Sequence, residues 1–229
     1  MHGEHSRPLA RRVAVGKKVF WVSGDWGTDK HAERDGHLGA AELGGGLHLG
    51  RVQINLSLGQ AWSRQNLALA GEANAEGTYW MAEALLPLPQ QLWATFAAYG
   101  MGGEAEIRRG YLNAGLPTTS NGNTGTSAWG LRARLDWEHA LSLGQMSVTP
   151  YADLSHTETR AEAYTETGGG FPVAYDARTN QSTQLRVGAN GSRPLAGSMR
   201  LISIVEVVRQ FQEIRPTPAA RWWACSAST

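Results

Sequence analysis

Residues 126–137 read T-S-A-W-G-L-R-A-R-L-D-W, and taking every second residue separates two chemistries. Trp129, Leu131, Ala133, Leu135 and Trp137 form one row, apolar throughout and with a Trp at each end. Ala128, Gly130, Arg132, Arg134 and Asp136 form the other, small or charged. Successive side chains of a strand point to opposite faces, so these rows are the two faces of one β-strand. Eight steps of roughly 3.3 Å separate the two Trp, about 26 Å along the strand. A tilt of about 40° turns that into about 20 Å of height, close to the apolar band of a transmembrane β-barrel between its aromatic girdles. The pattern predicts one face against lipid and the other lining a polar lumen.

The alternation recurs along the chain. Strands are predicted near residues 19–26, 38–49, 52–63, 78–86, 91–108, 146–155, 184–190 and 199–211, which with the opening segment makes about nine. Residues 52–63 are cleanly two-sided, with Val52, Ile54, Leu56, Leu58 and Trp62 against Gln53, Asn55, Ser57 and Ser63. In residues 91–108 the facing is ambiguous, because Leu92, Ala94, Phe96 and Ala98 compete with Trp93, Ala97 and Tyr99. Pro150 sits inside a predicted strand and calls for a bulge or a relaxed ladder position. Residues 28–35, 65–76, 110–126 and 157–182 read as long polar connections, and residues 50–51, 87–90, 142–145 and 194–198 as short turns. Long and short connections alternate, as in an up-and-down barrel with short periplasmic turns and long extracellular loops. Trp26, Trp62, Trp80 and Trp129 are then expected at the long-loop end of their strands and Trp137 at the short-turn end, as an aromatic girdle. The polar rows collect Glu42, Glu83, Arg132, Arg134, Asp136, Asp153, Arg186, Arg200 and Glu206. In a narrow interior these are expected to be compensating, lumen-lining charges, because an unpaired buried charge is costly.

Composition excludes several other classes. No run approaches the 18 or so apolar residues of a membrane helix, while a mean hydropathy of −0.34 is compatible with strands that are apolar on one face only. The net charge of +1 provides no electrostatic case for nucleic acid. The single Cys225 excludes an internal disulfide framework. No G-x-S-x-G, P-loop, H-E-x-x-H or C-x-x-C occurs. The sequence G-M-G-G-E-A at residues 100–105 approaches a dinucleotide fingerprint, but no helical period follows it. His2 and His5 are expected to be solvated rather than metal ligands, and no cofactor, metal or catalytic residue is expected.

Both ends depart from the pattern. Residues 1–18 carry Arg11, Arg12, Lys17 and Lys18 and no apolar core of a signal peptide, so they read as a polar leader left from a passenger or linker. Residues 19–212 form the barrel domain. Residues 213–229 lose the alternation, and a shifted reading frame near Gln212 is the simplest account, a native irregular tail the alternative.

The segments V-F-W-V-S-G-D-W-G at 19–27, A-W-G-L-R-A-R-L-D-W at 128–137, V-T-P-Y-A-D-L-S at 148–155 and Q-L-R-V-G-A at 184–189 resemble the C-terminal β-barrel translocator domain of bacterial autotransporters, the type V secretion proteins. The resemblance implies a twelve-stranded outer-membrane barrel, threaded by a helix, that assists export and anchoring of an N-terminal passenger. Its implied partners are outer-membrane lipid, the chain's own passenger segment and the barrel assembly machinery. The family's closing strands and terminal aromatic residue are replaced here by A-S-T at 227–229, so the barrel is expected to be incomplete. Two rival readings stay open on the residues alone. One is a soluble β-barrel holding a small apolar ligand, which requires the apolar rows to face inward. The other is a hydrolase, which lacks a nucleophile–base constellation.

Overall fold

The computed structural model of this protein describes residues 8–31, 34–195, 199–211 and 220–222. In chain order the strands are β1 (Lys18–His31), β2 (Arg34–His48), β3 (Gln53–Leu67), β4 (Gly71–Pro87), β5 (Leu92–Asn113), β6 (Leu116–Trp137), β7 (Leu141–Leu143), β8 (Met146–Ala161), β9 (Tyr164–Thr165), β10 (Val173–Tyr175), β11 (Arg178–Pro194), β12 (Arg200–Phe211) and β13 (Ala220–Trp222). A 3-10 turn, Pro8–Arg11, precedes β1. Nine long strands lie side by side in the order β1-β2-β3-β4-β5-β6-β8-β11-β12, all antiparallel, with β7 beside β8. The short strands make a second sheet in the order β13-β10-β9. The architecture is the predicted all-β, up-and-down one. Among the described residues β1 pairs only with β2, and β12 only with β11.

Each ladder keeps one register throughout; β4 and β5, for example, pair from Glu72↔Arg108 to Pro87↔Trp93 without a bulge. A face once set is therefore kept for the whole strand. The faces are inverted relative to a soluble sheet. Leu131 and Leu135 are 55% and 42% exposed, whereas Arg134 and Asp136 are 4% and 1% exposed. Across the sheet Phe20, Val22, Leu43, Leu56, Leu58, Leu154 and Val187 are exposed, while Glu42, Gln53, Asn55, Ser57, Glu83 and Asp153 are buried. In β5, Phe96 joins the exposed face and Trp93 and Tyr99 turn to the polar one. A soluble barrel around an apolar ligand requires the reverse arrangement.

Much of what composition marked as loop is strand. Residues 110–126 are the far ends of β5 and β6, joined by a two-residue turn at 114–115. Ala114 and Gly115 both have positive φ, 49° and 82°, the conformation of a primed hairpin turn whose twist matches the strands it joins. Residues 65–76 likewise narrow to a turn at 68–70, and β1 runs through much of residues 28–35. Among the described residues, only the connection between β8 and β11 is long, and it carries β9 and β10. What alternates is the distance each hairpin extends past its Trp, rather than loop length. Gly100–Ala105 lies inside β5 and opens no helix. Pro150 needs no bulge. The β6 ladder on β8 ends at Asp136↔Tyr151 and the β7 ladder begins at Leu141↔Val148, so the proline falls in the gap where no N–H is required.

Candidate functional site

The polar face of the sheet is the candidate site, and glycine sets its packing. Register puts Trp21 opposite Gly44, Tyr79 opposite Gly59, Tyr99 opposite Gly130 and Tyr151 opposite Gly188. A Cβ on any of these glycines would overlap the facing ring. The aromatic rings thus lie flat across the neighbouring strand, on the same face as the charges. Tyr151 and Trp21 turn their polar ends onto carboxylates: Tyr151 Oη donates to Glu206 Oε2 at 2.7 Å and Trp21 Nε1 to Glu42 Oε1 at 2.7 Å.

The sequence-predicted charges fall into separate networks. Arg132 Nε donates to Asp153 Oδ2 at 2.6 Å, and Arg134 holds Asp136 through Nε at 2.8 Å and Nη2 at 2.7 Å. Arg134 also lies 3.8 Å from Asp153 Oδ2 and stacks over Tyr151 at 3.7 Å, which links this group to Glu206. Bidentate pairing of a planar guanidinium is the geometry that keeps charge tolerable in a dry interior. Glu42 takes Trp21 and, at 3.3 Å, the Tyr79 hydroxyl. Arg186 Nη2 donates to Gln184 Oε1 at 2.9 Å. Arg200 belongs to β12 by its backbone, and its side chain lies outside the described residues.

Glu83 belongs to a network that the sequence reading did not foresee. Residues 8–17, read as a leader, lie across the polar face at the short-turn end. Arg11 Nη2 donates to both Glu83 oxygens at 3.1 and 3.2 Å, and Asn55 Nδ2 to Glu83 Oε1 at 2.9 Å. Gln53 Nε2 donates to Asn55 Oδ1 and to the Arg11 carbonyl, both at 2.8 Å, while Gln53 Oε1 accepts from Val13 N at 2.9 Å. His48 Nδ1 lies 2.8 Å from the Val13 carbonyl. Arg12 Nη1 bonds Glu138 Oε2 at 2.6 Å and stacks over Trp93 at 4.7 Å. Burial opposes ionisation of Glu138, but bonds from Arg12 and Trp93 outweigh it and hold the carboxyl below its ordinary value. Gln53 and Asn55 were already legible as one polar row. Arg11 and Arg12 carried no periodic signal. His2 and His5 lie outside the described residues.

The long-loop end has its own network. Glu166, just after β9, accepts from Arg109 Nε at 2.8 Å and Nη2 at 2.7 Å, from Ser120 Oγ at 2.8 Å and from Val173 N at 3.2 Å. Tyr111 Oη receives Phe171 N at 3.1 Å. Tyr164 and Tyr175 stack at 4.8 Å, and Tyr164 rests on Gly122. The segment between β8 and β11 is thereby pinned to the β5–β6 hairpin over the polar face.

On the opposite face Trp26, Trp62, Trp80, Trp129 and Trp137 are all exposed. Gly39 separates Trp26 from Trp62 along one rung, and Gly100 separates Trp80 from Trp129 along another. No group of three or more His, Cys, Asp or Glu among the described residues could hold a metal. The nearest thing to a nucleophile–base pair is His139 Nδ1, 2.5 Å from Ser147 Oγ in an exposed turn. Its other nitrogen is 3.7 Å from Glu138, whose carboxylate is engaged by Arg12 and Trp93, so nothing orients the imidazole at hydrogen-bond distance.

Comparison with known proteins agrees with this geometry. The family described as autotransporter beta-domain matches residues 19–222. An uncharacterized protein of the trpE-trpG intergenic region of Pseudomonas putida is 23% identical over 188 residues, 77% of this chain and 32% of that protein, so the chain spans about a third of that relative. The translocator domain of the autotransporter NalP from Neisseria meningitidis superimposes with a TM-score of 0.74 at 14% identity, covering 96% of this chain and 79% of that one. The β-domain of the Bordetella autotransporter BrkA gives 0.49 at 13% identity, with coverages of 85% and 93%.

Proposed function

The chain belongs to the autotransporter β-domain family, and from that membership we propose that it exports and anchors a passenger joined to its N-terminal side, as an outer-membrane translocator rather than an enzyme. The observation that carries the reading is the inversion of the sheet, with Leu131 exposed and Arg134 buried three residues away. Lipid is the medium that rewards such a face. In this reading Trp26, Trp62, Trp80 and Trp129 form the outer girdle and Trp137 the periplasmic one. Glu42, Glu83, Arg132, Arg134, Asp136, Asp153, Arg186, Arg200 and Glu206 line the lumen. Residues 8–17 mark where the passenger connection enters it, with Arg11 on Glu83 as the anchor. Placement in the membrane falls to the barrel assembly machinery.

The test is insertion and facing together. Refolded protein is expected to migrate anomalously before heating and to enter vesicles. A spin label at Leu131 should then be reached by oxygen and one at Ser57, on the buried face, by an aqueous relaxant. A folded, monomeric chain that stays soluble without detergent, or labels with the reverse accessibility, defeats the proposal.

A further inference from the structure

The segment between β8 and β11, residues 162–177, does not stay beside the strands it joins. β8 lies next to β6 and not β5, yet the segment reaches β5. Phe171 N donates to Tyr111 Oη at 3.1 Å, and Arg109 Nη2 to the Phe171 carbonyl at 2.9 Å. On the way it holds β6, through backbone bonds between Asn121 and Thr167 at 2.9 and 2.7 Å and from Thr124 Oγ1 to the Glu162 carbonyl at 2.8 Å. Arg109 and Tyr111 share strand parity with Tyr99, and Ser120, Gly122 and Thr124 with Arg134, so the side chains it engages belong to the polar face. On its other side β10 pairs with β13, in the chain that follows β12. The cover therefore reaches from β5 to the chain beyond β12, the last five of the nine wall strands.

We infer that residues 162–177 form a gate over the outer mouth of the polar interior, shut at rest by Arg109 and Glu166 and swung aside as one unit to let a polypeptide leave. What holds the cover supplies the first reason. Of residues 162–177 only Glu166 and Val173 are buried, so its attachment is nearly all hydrogen bonds and one ion pair, whose groups water satisfies once they part. A segment with few buried apolar contacts opens locally at far lower cost than the sheet beneath it. Its attachment to the wall supplies the second. Both ends leave at a single rung, Ala161↔Arg178, so the segment can turn there without breaking any of the long ladders. Position supplies the third. Residues 8–17 occupy the short-turn end of the same face, and a chain led in there meets the cover on its way out. A fixed strut for the β5–β6 hairpin would instead be packed against it by apolar side chains.

The inference rests on the translocator reading for what passes the gate, and the experiment reads the opening itself. The full-length chain in detergent micelles carries Cys225→Ser and one reporter, Ala128→Cys, on the polar face two side chains below Thr124. Reaction of the reporter with a bulky polyethylene-glycol maleimide is followed by peptide mapping. Asn121→Cys/Thr167→Cys adds a lock. The two residues face each other as a hydrogen-bonded antiparallel pair, with Cα atoms about 5.5 Å apart in such pairs, within reach of a disulfide. The unaltered cover should keep the reporter slow, and Arg109→Ala should speed it about tenfold, the scale on which a lost contact raises a locally open population. Oxidising the lock in the Arg109→Ala chain should bring back the slow rate, and reduction the fast one. A reporter no faster in Arg109→Ala, or one that the closed lock does not slow, overturns the gate and leaves a fixed strut. Should Arg109→Ala not fold, Glu166→Gln is read the same way. Vesicle insertion is followed on the same proteins. Insertion with lock-independent labelling sinks the gate and spares the translocator; lock-dependent labelling without insertion does the opposite.

Discussion

The two ends of the polar face are closed by the same device with its partners exchanged. At the short-turn end the guanidinium comes from the covering segment, Arg11, and the carboxylate from the wall, Glu83 on β4. At the long-loop end the wall supplies the guanidinium, Arg109 on β5, and the covering segment the carboxylate, Glu166. The difference lies in how dry each pair is. Side chains of Arg11 and Glu83 are 4% and 2% exposed, whereas Arg109 is 25% exposed against 1% for Glu166. A guanidinium with a route to water can be released without stranding a charge; one without a route cannot. The short-turn end is therefore built as a fixed seat and the long-loop end as a clasp.

The largest effect should come from breaking the seat. Glu83→Ala removes from the buried network the carboxylate to which both Arg11 and the Asn55 amide donate. It should cost about 3–5 kcal/mol in equilibrium unfolding, and residues 8–17 should become protease-sensitive. A cost near that of a surface pair, below about 1 kcal/mol, would mean that the segment is not seated there.

Glycine substitutions sharpen the contrast. Gly44→Ala drives a methyl into Trp21, whose backbone is held in β1 and whose indole is bonded to Glu42. Overpacking of this kind costs about 1–3 kcal/mol. Gly122→Ala meets Tyr164, on a two-residue strand of the covering segment that can swing away. It should cost less in global stability while raising cleavage within residues 162–177. Equal losses at the two sites would contradict the seat-and-clasp distinction. Arg109→Ala is expected between these, at about 1–2 kcal/mol, discounted because its guanidinium is partly solvated. It should expose the same 162–177 segment without altering protection of residues 8–17.

Legibility in the sequence followed the environment of each stretch. Between the Trp levels one face meets apolar surroundings and the other is buried and polar, so residues 52–63 and 128–137 alternate and their facing could be read. Beyond the Trp, neither face of β5 and β6 needs to be apolar. The ladder continues from Gly103↔Thr126 to Asn113↔Leu116, yet its β6 half, residues 116–126, is almost entirely Thr, Asn, Gly, Ser and Pro. Hydrogen bonding between backbones holds those residues in strands and leaves no trace in side-chain periodicity. That is why residues 110–126 read as a loop. The charges on the polar rows were legible as a set, because parity places them, but not their grouping. Arg134 finds Asp136 and Asp153 through register, whereas Glu83 finds Arg11 through a segment 72 residues away with no pattern of its own. Glu166 stood in a Gly-rich connection and gave no signal at all.

The smallest expected effect tests the clasp by pH. Burial pushes the Glu166 carboxyl toward the neutral form, but bonds from Arg109, Ser120 and the Val173 amide outweigh it and hold it below the ordinary 4.5. A carboxylate whose folded value is depressed contributes stability that is fully present above its unfolded value and is lost as pH falls through the lowered one. The clasp should therefore be closed at neutral pH and begin to open only below about pH 4.5. Cleavage within residues 162–177 by an acid-active protease should rise over that range in the wild type. In Glu166→Gln it should already be high above pH 4.5 and nearly flat below. The change must stay smaller than that of Arg109→Ala, because protonation neutralises the buried Glu166, whereas loss of Arg109 leaves its carboxylate buried without the guanidinium. A wild-type profile that opens with rising pH would place the controlling charge elsewhere in the covering segment.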